Sequence, residues 1–400
     1  MPWKASVVSE LRLEFVRAAL AGTVAFSVLC RRFEVSRPTG YKWVARYEAE
    51  GAAGLKDRAP VPHAPRHRLD GALGDLFVAE RREHPTWGSK KLLALLKLRY
   101  PRRKSWPARS TIDALLKREG LVRPRRRRRR VAPYTEPLGH AQQPNDVWCI
   151  DFKGQFRLGD GSTCYPLTIT DAATRYVLCC TALTNTSTEG AIAALLSTFE
   201  HHGLPRAMRS DNGTPFASSA PGGLSRLGVL LHRLGVVHER IESGHPEQNG
   251  RHERFHRTLE EVCARPPRTR REMQRQFDEF VRVFNDARPH EALGMKRPRD
   301  VYTSSSRELP ARVPPASTAG ADHVRGVRND GSFKWHGHLL FLSEALVGED
   351  VGLYEVDQDI FEVRFGSLVV TYLHDARGRP VLWRALTRNT RQQKLRHAAV

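Results

Sequence analysis

The sequence predicts a multidomain α/β protein: N-terminal helix-turn-helix units, a central mixed sheet with flanking helices, and a small C-terminal β-barrel. Three observations lead there. Up to about residue 122 the chain shows only helical periodicity, broken by tight turns. From Asn145 the texture switches to short β-rich runs and then alternates helix with strand. Beyond Ser332 it consists of short strands and turns. At 400 residues the chain has room for several such domains.

Charge narrows the function. With 65 Lys and Arg against 43 Asp and Glu, the formal net charge is +22, the balance of a protein that handles a polyanion, and nucleic acid is the leading partner. A membrane role would ask for a spanning segment or a basic amphipathic helix, and the longest apolar stretches, such as Ala18 to Cys30, fall short of about eighteen residues. Met1 to Glu10 lacks the pattern of a signal peptide. The six cysteines (Cys30, Cys149, Cys164, Cys179, Cys180, Cys263) form no CxxC pair, which fits reduced thiols in a cytoplasm and no zinc cluster.

Residues 1–60 read as a helix-turn-helix domain. An apolar helix from Phe26 to Phe33 meets a tight break, and Ser36 is an N-cap for a second helix. On that helix Thr39, Lys42 and Arg46 share one face, with Arg37 at its start, while Tyr41, Val44 and Tyr47 share another. One side can pack while the other reads a groove, although a helical hairpin with a solvated basic face would look the same. Gly40 inside the helix costs roughly 1 kcal/mol against Ala. Residues 61–124 form a second helical unit, with Ser110 or Thr111 placed to start its last helix. Between the two units, APVPHAPRHR reads as an extended basic linker. Residues 125–144 are an arginine-rich linker, because six consecutive charges (Arg125, Arg126, Arg127, Arg128, Arg129, Arg130) cannot pack in a core. Laid on DNA this run would neutralise phosphates without reading sequence.

Residues 145–302 hold the central domain. DVWCIDFKG, CYPLTITD and RYVLCCTAL suggest an antiparallel meander, followed by a helix at Thr188 to His202, the strand RAMRSDNG, a helix to Leu234, the strand VVHERI and two further helices. The last of these turns Met273, Phe277, Phe280, Val281 and Phe284 inward. Residues 303–328 read as a linker, and 329–400 as the barrel-like domain.

Acids at strand ends stand out in so basic a chain. Asp151 lies between Ile150 and Phe152, where an ionised carboxylate is costly unless a cation or a basic side chain compensates. Asp211 ends a strand before an Asn-Gly turn, the place where a strand hands side chains to a cleft, although SDNG is also ordinary turn chemistry. A third carboxylate from the later helix would complete a hard oxygen site for Mg²⁺. GHPEQNGRHERFHRTL offers two, Glu247 and Glu253. Asn249 is a good N-cap, so Glu247 falls in the loop ahead of the helix. Glu253 falls inside it, sharing a face with Arg257 and Glu260 opposite Phe255, Leu259 and Val262. The rigid helical mount favours Glu253. The small-residue loop Ala217 to Ser225 can vary in length without moving that helix.

The order of VWCIDFKG, RSDNGTPFAS, GHPEQNGRHERFHRTLE and FNDARPHEAL resembles the catalytic core of bacterial insertion-sequence transposases of the retroviral-integrase type, the DDE superfamily. The helix-turn-helix units fit the region that binds element ends. GSFKWHGHLLFLSEALVGEDVGLYEVD is similar to the tail domain of one branch. The resemblance implies a ribonuclease-H-like core with Asp151, Asp211 and Glu253 as catalytic and metal-binding residues, and leaves Asp146 and Asp171 outside the triad. It further implies two Mg²⁺ ions per site, replaceable by Mn²⁺, about 3.5 to 4 Å apart. The implied reaction is strand cleavage at element ends followed by attack of the freed 3′ hydroxyl on target DNA, with no covalent enzyme intermediate. Lys153, Arg251, Arg254 and Arg257 are candidates for gripping phosphate, or are merely solvated. Implied partners are double-stranded DNA and at least a second copy of the chain, in a cytoplasmic, nucleoid-associated setting. Two other readings stand beside this one: a domesticated transposase-derived DNA-binding regulator, against which the complete triad argues, and a ribonuclease-H-like nuclease, which has no need of the end-reading helices.

Overall fold

The computed structural model describes residues 7–57, 69, 71–122, 140–218, 223–242, 250–375 and 378–384. The basic linker at 59–68, the arginine run 125–130, Glu247 and Asn249 lie outside these residues, as does part of the loop after Ala217. The chain divides into two compact units, Met1–Leu69 and Asp70–Val400.

The first unit packs α1 (Val7–Ala21), α2 (Phe26–Arg32) and α3 (Arg37–Glu50) around Phe15, Val16, Leu29, Cys30, Trp43 and Leu55. Ser36 caps α3 as its hydroxyl accepts from the Thr39 amide at 3.3 Å. Two expectations need correction. Tyr41, assigned to the packed face, is 60% exposed and stacks on Phe26 at 4.2 Å between ring centroids. The buried stripe runs instead through Gly40 and Trp43, with Val44 and Tyr47 packed beside them, which is the i, i+3, i+4, i+7 pattern of a single helix face. Gly40 is also more than a helix cost. A Cβ there would lie 2.9 Å from the Phe15 ring and 3.0 Å from Cys30 Sγ, so its absence lets three helices close on one another.

The second unit begins with α4 (Gly71–Glu83), α5 (Ser89–Arg99) and α6 (Arg109–Arg118). Their core includes Phe77, Trp87, Leu92, Leu96, Ile112 and Leu116. Helix α6 starts after Ala108 with no side-chain cap, ahead of the expected Ser110 or Thr111. Glu80, almost fully buried, pairs with Arg99.

A six-stranded mixed sheet follows. Strands β1 (Val147–Phe152), β3 (Thr163–Asp171) and β4 (Val177–Leu183) form the expected meander, with the short β2 (Phe156–Arg157) on one end of β3. Strands β5 (Ala207–Ser210) and β6 (Val237–Arg240) continue from β1 in parallel. Side chains alternate across the sheet, as the pleat requires. Trp148, Ile150 and Phe152 of β1, with Leu167 and Ile169 of β3, enter the core beneath α7 (Thr188–His202) and α8 (Arg226–Arg233). On the other face, α9 (Gly250–Cys263) and α10 (Arg270–Asp286) bring Phe255, Leu259, Met273, Phe277 and Phe284 onto Val177, Cys180 and Ala182. Asn285 fastens the end of α10 to β4, accepting from the Val177 amide and donating to its carbonyl, both at 2.9 Å.

Of residues 303–328, read as a linker, 303–322 join two sheets but are stitched to the first, and 323–326 already form a strand of the second. Arg307 donates to the carbonyls of Pro205, Leu234 and Gly235, and Arg233 reaches back to those of Val313 and Pro314. Leu309 and Val313 pack against the core under α7 and α8. The terminal strands are β7 (His323–Gly326), β8 (Ser332–Trp335), β9 (His338–Phe341), β10 (Asp350–Asp357), β11 (Ile360–Phe365), β12 (Leu368–His374) and β13 (Val381–Arg384). Five of them form an open antiparallel sheet in the order β13-β12-β11-β10-β7, and β8 pairs with β9 as a separate hairpin. Among the described residues no ladder closes this sheet into the barrel expected from the sequence. Phe333 and Trp335 of the hairpin, with Leu224 and Val229 from the α8 region, cover its apolar face instead. Arg233 and Glu349 add an ion pair at 2.7 Å across that junction.

Candidate active site

Asp151 is the next-to-last residue of β1, and Asp211 follows the last residue of β5. The two strands run parallel with Cys149 opposite Arg209, so continuing that register by two residues sets Asp151 beside Asp211 at the carboxyl ends of adjacent strands. Glu253 lies in the first turn of α9, exposed, with His252, Phe255 and Leu259 forming the helix's buried face. A carboxylate near a helix N-terminus is favoured by the helix dipole.

Asp151 feels the other two acids. Burial pushes the Asp151 carboxyl up to about 7, the charges of Asp211 and Glu253 push the same way, and a bond from the Phe152 backbone pulls in part against them. Asp211 also accepts from the Gly213 amide at 3.1 Å, which fixes its turn. A buried carboxylate acted on by the charges of two others is a donor that a divalent cation fits, since the cation relieves the repulsion that raises Asp151. Asp146 and Asp171 are bound into turns. Asp146 accepts from the amides of Gln142 and Gln143, and Asp171 from the amides of Asn145 and Thr174 and the Thr174 hydroxyl.

Behind Asp151 lies a group that sequence reasoning missed. His252 and His256, one turn apart on α9, meet Thr168 and Thr170 on the same face of the sheet as Asp151. Thr168 Oγ1 lies 2.8 Å from Nε2 of each histidine and 3.1 Å from the Asp151 carbonyl oxygen, and Thr170 Oγ1 lies 3.0 Å from His252 Nδ1. His256 Nδ1 is 3.9 Å from Asp151 Oδ2. Donor atoms of Asp151, His252 and His256 lie within 4.8 Å of one another, close enough to surround one ion. Burial lowers both imidazoles: His252 well below its usual range, and His256, also facing Lys153, to about 4. The four-residue spacing of the two histidines was the available signal; the partner threonines lie more than eighty residues earlier.

The candidate phosphate-gripping cations differ in placement. Arg254 and Arg257 are exposed, and Lys153 is half-buried. Arg251 turns inward and donates to the Ala172 carbonyl at 3.1 Å, so its guanidinium is partly committed to the fold. In the first unit, Arg37 and Lys42 are exposed, and Lys42 and Arg46 lie over the Trp43 ring at 5.0 and 5.2 Å. The Thr39 hydroxyl is engaged with Ser36 at 2.8 Å.

Comparison with known proteins bears on the domains that carry these residues. Residues 141–246 match one family model of an integrase core domain and residues 234–298 a second. Residues 11–66 match a helix-turn-helix domain and 39–116 a homeodomain-like domain. A protein of insertion element IS476 from Xanthomonas euvesicatoria is 28% identical over 238 residues, covering 59% of this chain and 65% of that protein. The chain thus spans just under two thirds of that relative's length. A protein of insertion element IS407 from Burkholderia multivorans is 28% identical over 57% of this chain and 79% of its own length. Among solved structures, the HTLV-2 integrase catalytic core in complex with magnesium aligns with 40% of this chain and 98% of its own, at 14% identity and a TM-score of 0.31. A chain of the simian T-cell lymphotropic virus intasome aligns with 77% of this chain and 98% of its own, at 14% identity and a TM-score of 0.35. Likenesses at such TM-scores decide nothing further. No helix among the described residues is long and apolar enough to cross a membrane.

Proposed function

We propose, for a chain that belongs to the integrase-core transposases of insertion elements, that it cleaves DNA at its element's ends and transfers the freed 3′ hydroxyls into target DNA. What supports this reading is the register that brings Asp151 and Asp211 to the carboxyl ends of the adjacent strands β1 and β5, together with the charges of Asp211 and of Glu253 on α9 that both act on Asp151. These carboxylates would hold the divalent cations, Mg²⁺ or Mn²⁺, which when bound supply charge neutralisation and Lewis acidity at phosphorus.

The chain's own residues position the DNA. Arg254 and Arg257 present exposed cations on the helix that carries Glu253, where a scissile phosphate can be held in line, and Lys153 stands just beyond Asp151. Arg37, Lys42 and Arg46 on α3, with Thr39 once its hydroxyl leaves Ser36, would read the major groove at the element end. The run Arg125 to Arg130 would neutralise phosphates, steepening the salt dependence by about 0.9 in slope per phosphate contacted. In the first step water attacks a phosphodiester, a new P–O bond forms and the old 3′-oxygen leaves as a hydroxyl. In the second, that hydroxyl attacks a target phosphodiester and displaces its 3′-oxygen. Joining two ends to one target asks for at least two copies of the chain on DNA.

A strand-transfer assay with the element's own ends and Mg²⁺ tests the assignment. Asp151→Asn, Asp211→Asn and Glu253→Gln should each lose on the order of a thousandfold in rate, since each removes several kcal/mol of charge stabilisation at phosphorus. Glu247→Gln should keep its activity. The opposite result for the two glutamates would move the third ligand to the loop. Specific end binding without joining in the wild type would instead favour a DNA-binding regulator.

A further inference from the structure

The hydrogen bonds around Thr168 determine where the protons lie. A hydroxyl has one proton to give and two lone pairs to receive with. Of the three atoms around Thr168 Oγ1, the Asp151 carbonyl can only accept, whereas a neutral imidazole nitrogen can do either. All three contacts are satisfied together in one way. Thr168 donates to the Asp151 carbonyl, and His252 and His256 each donate from Nε2 to Thr168. His252 Nδ1 then accepts from the Thr170 hydroxyl, so both of its nitrogens are engaged. His256 is left with its lone pair on Nδ1, the atom 3.9 Å from Asp151 Oδ2. Two electron-pair donors face each other across a gap that spans the two sides of a metal coordination sphere, where each bond is about 2.0 to 2.2 Å long.

We propose that His256 Nδ1 is a ligand of the metal held by Asp151, with Thr168 and His252 fixing the tautomer that makes it one. It rests on the reading of Asp151 as a metal-binding carboxylate, and adds an imidazole to what is otherwise an oxygen site. Such a mixed set favours Mn²⁺, and Co²⁺ or Zn²⁺ still more, over Mg²⁺, which suits carboxylate and water. His252 is the orienting partner behind that ligand, acting through the threonine hydroxyl in the way outer hydrogen bonds orient metal-bound histidines.

The test is metal binding by the full chain without DNA, read by electron spin-echo spectroscopy of bound Mn²⁺ alongside Mn²⁺ and Mg²⁺ titrations. Wild type should show nitrogen coupling that changes when the protein is grown on ¹⁵N-histidine. In His256→Gln, whose side-chain amide can still donate to Thr168, the coupling should vanish, and Mn²⁺ affinity should fall about tenfold or more while Mg²⁺ affinity changes less. Bound Mn²⁺ without nitrogen coupling in the wild type overturns the proposal even if the variant folds poorly, as does coupling that survives His256→Gln. Mn²⁺ binding unchanged by Asp151→Asn overturns the carboxylate reading beneath it instead.

Discussion

Trp148, Ile150 and Phe152 project from β1 into an apolar core under α7 and α8, while Asp151 between them projects toward α9, beside Thr168 from β3. Leu167 and Ile169 flank Thr168 in the same alternation. One face of the sheet is packed with carbon, and the other, over the span of two or three residues, carries carboxylate, hydroxyl and imidazole. The two faces share a backbone, so the rigidity that the apolar side gains from packing is handed to the polar side. A site built on strands and a helix so supported holds its groups more closely than one built on loops.

Substitutions on the two faces should therefore differ in kind. The thousandfold loss expected of the triad variants in strand transfer is the largest effect, and it should come with little loss of folded protein. Trp148→Ala should show the reverse. It empties a fully buried site, and urea denaturation should record about 4 kcal/mol of lost stability, with activity per folded molecule retained. Loss of activity without loss of stability in Trp148→Ala would dissolve the distinction.

Asp151 sharpens the contrast through the sign of its effect. Its folded pKa is raised to about 7, so from about pH 4 upward the unfolded chain releases this proton first. In metal-free protein, stability therefore falls as pH rises through that window, and the full cost is present above it. Metal-free Asp151→Asn should be more stable than wild type at pH 8 by about 3 kcal/mol, with the difference gone near pH 4, as followed by melting at both pH values. A stabilising substitution that abolishes activity is the mark of a residue kept for chemistry.

The smallest pair lies on neighbouring positions of β3. Thr168→Val removes the hydroxyl that receives two imidazole N–H groups, and should cost about 2 kcal/mol. Ile169→Val, one residue on and facing the apolar side, should cost about 1 kcal/mol. Equal costs in chemical denaturation would show that the polar network contributes no more than ordinary packing.

Much of this division was legible. Period-two alternation located the strands, and the position of Asp151 and Asp211 at strand ends followed from it. Helical register placed Glu253 on a helix with Phe255 and Leu259 buried. The histidines were not legible as a pair of functional groups, because their partners come from a strand more than eighty residues away and only the tertiary register brings them together. Tyr41 was misplaced for a related reason. A helical wheel gives relative angles, and which stripe turns inward was decided by Gly40, whose missing side chain admits the Phe15 ring. The barrel failed for want of information about its neighbour: strand count cannot show that a hairpin and α8 will cover a sheet before it closes.

The stitched segment after Tyr302 bears on how the protein can be taken apart. A cut there, where regular structure stops, looks like a natural domain boundary. It would strip Leu309 and Val313 from the surface of the core, leave the carbonyls of Pro205, Leu234 and Gly235 without their shared guanidinium, and uncover Val229. The fragment would carry apolar surface that the segment and the terminal sheet otherwise cover, and would be expected to stick to copies of itself. The smallest self-sufficient piece holding the six-stranded sheet is therefore longer than the segment that forms that sheet and its helices, because the terminal sheet serves as part of the core's wall.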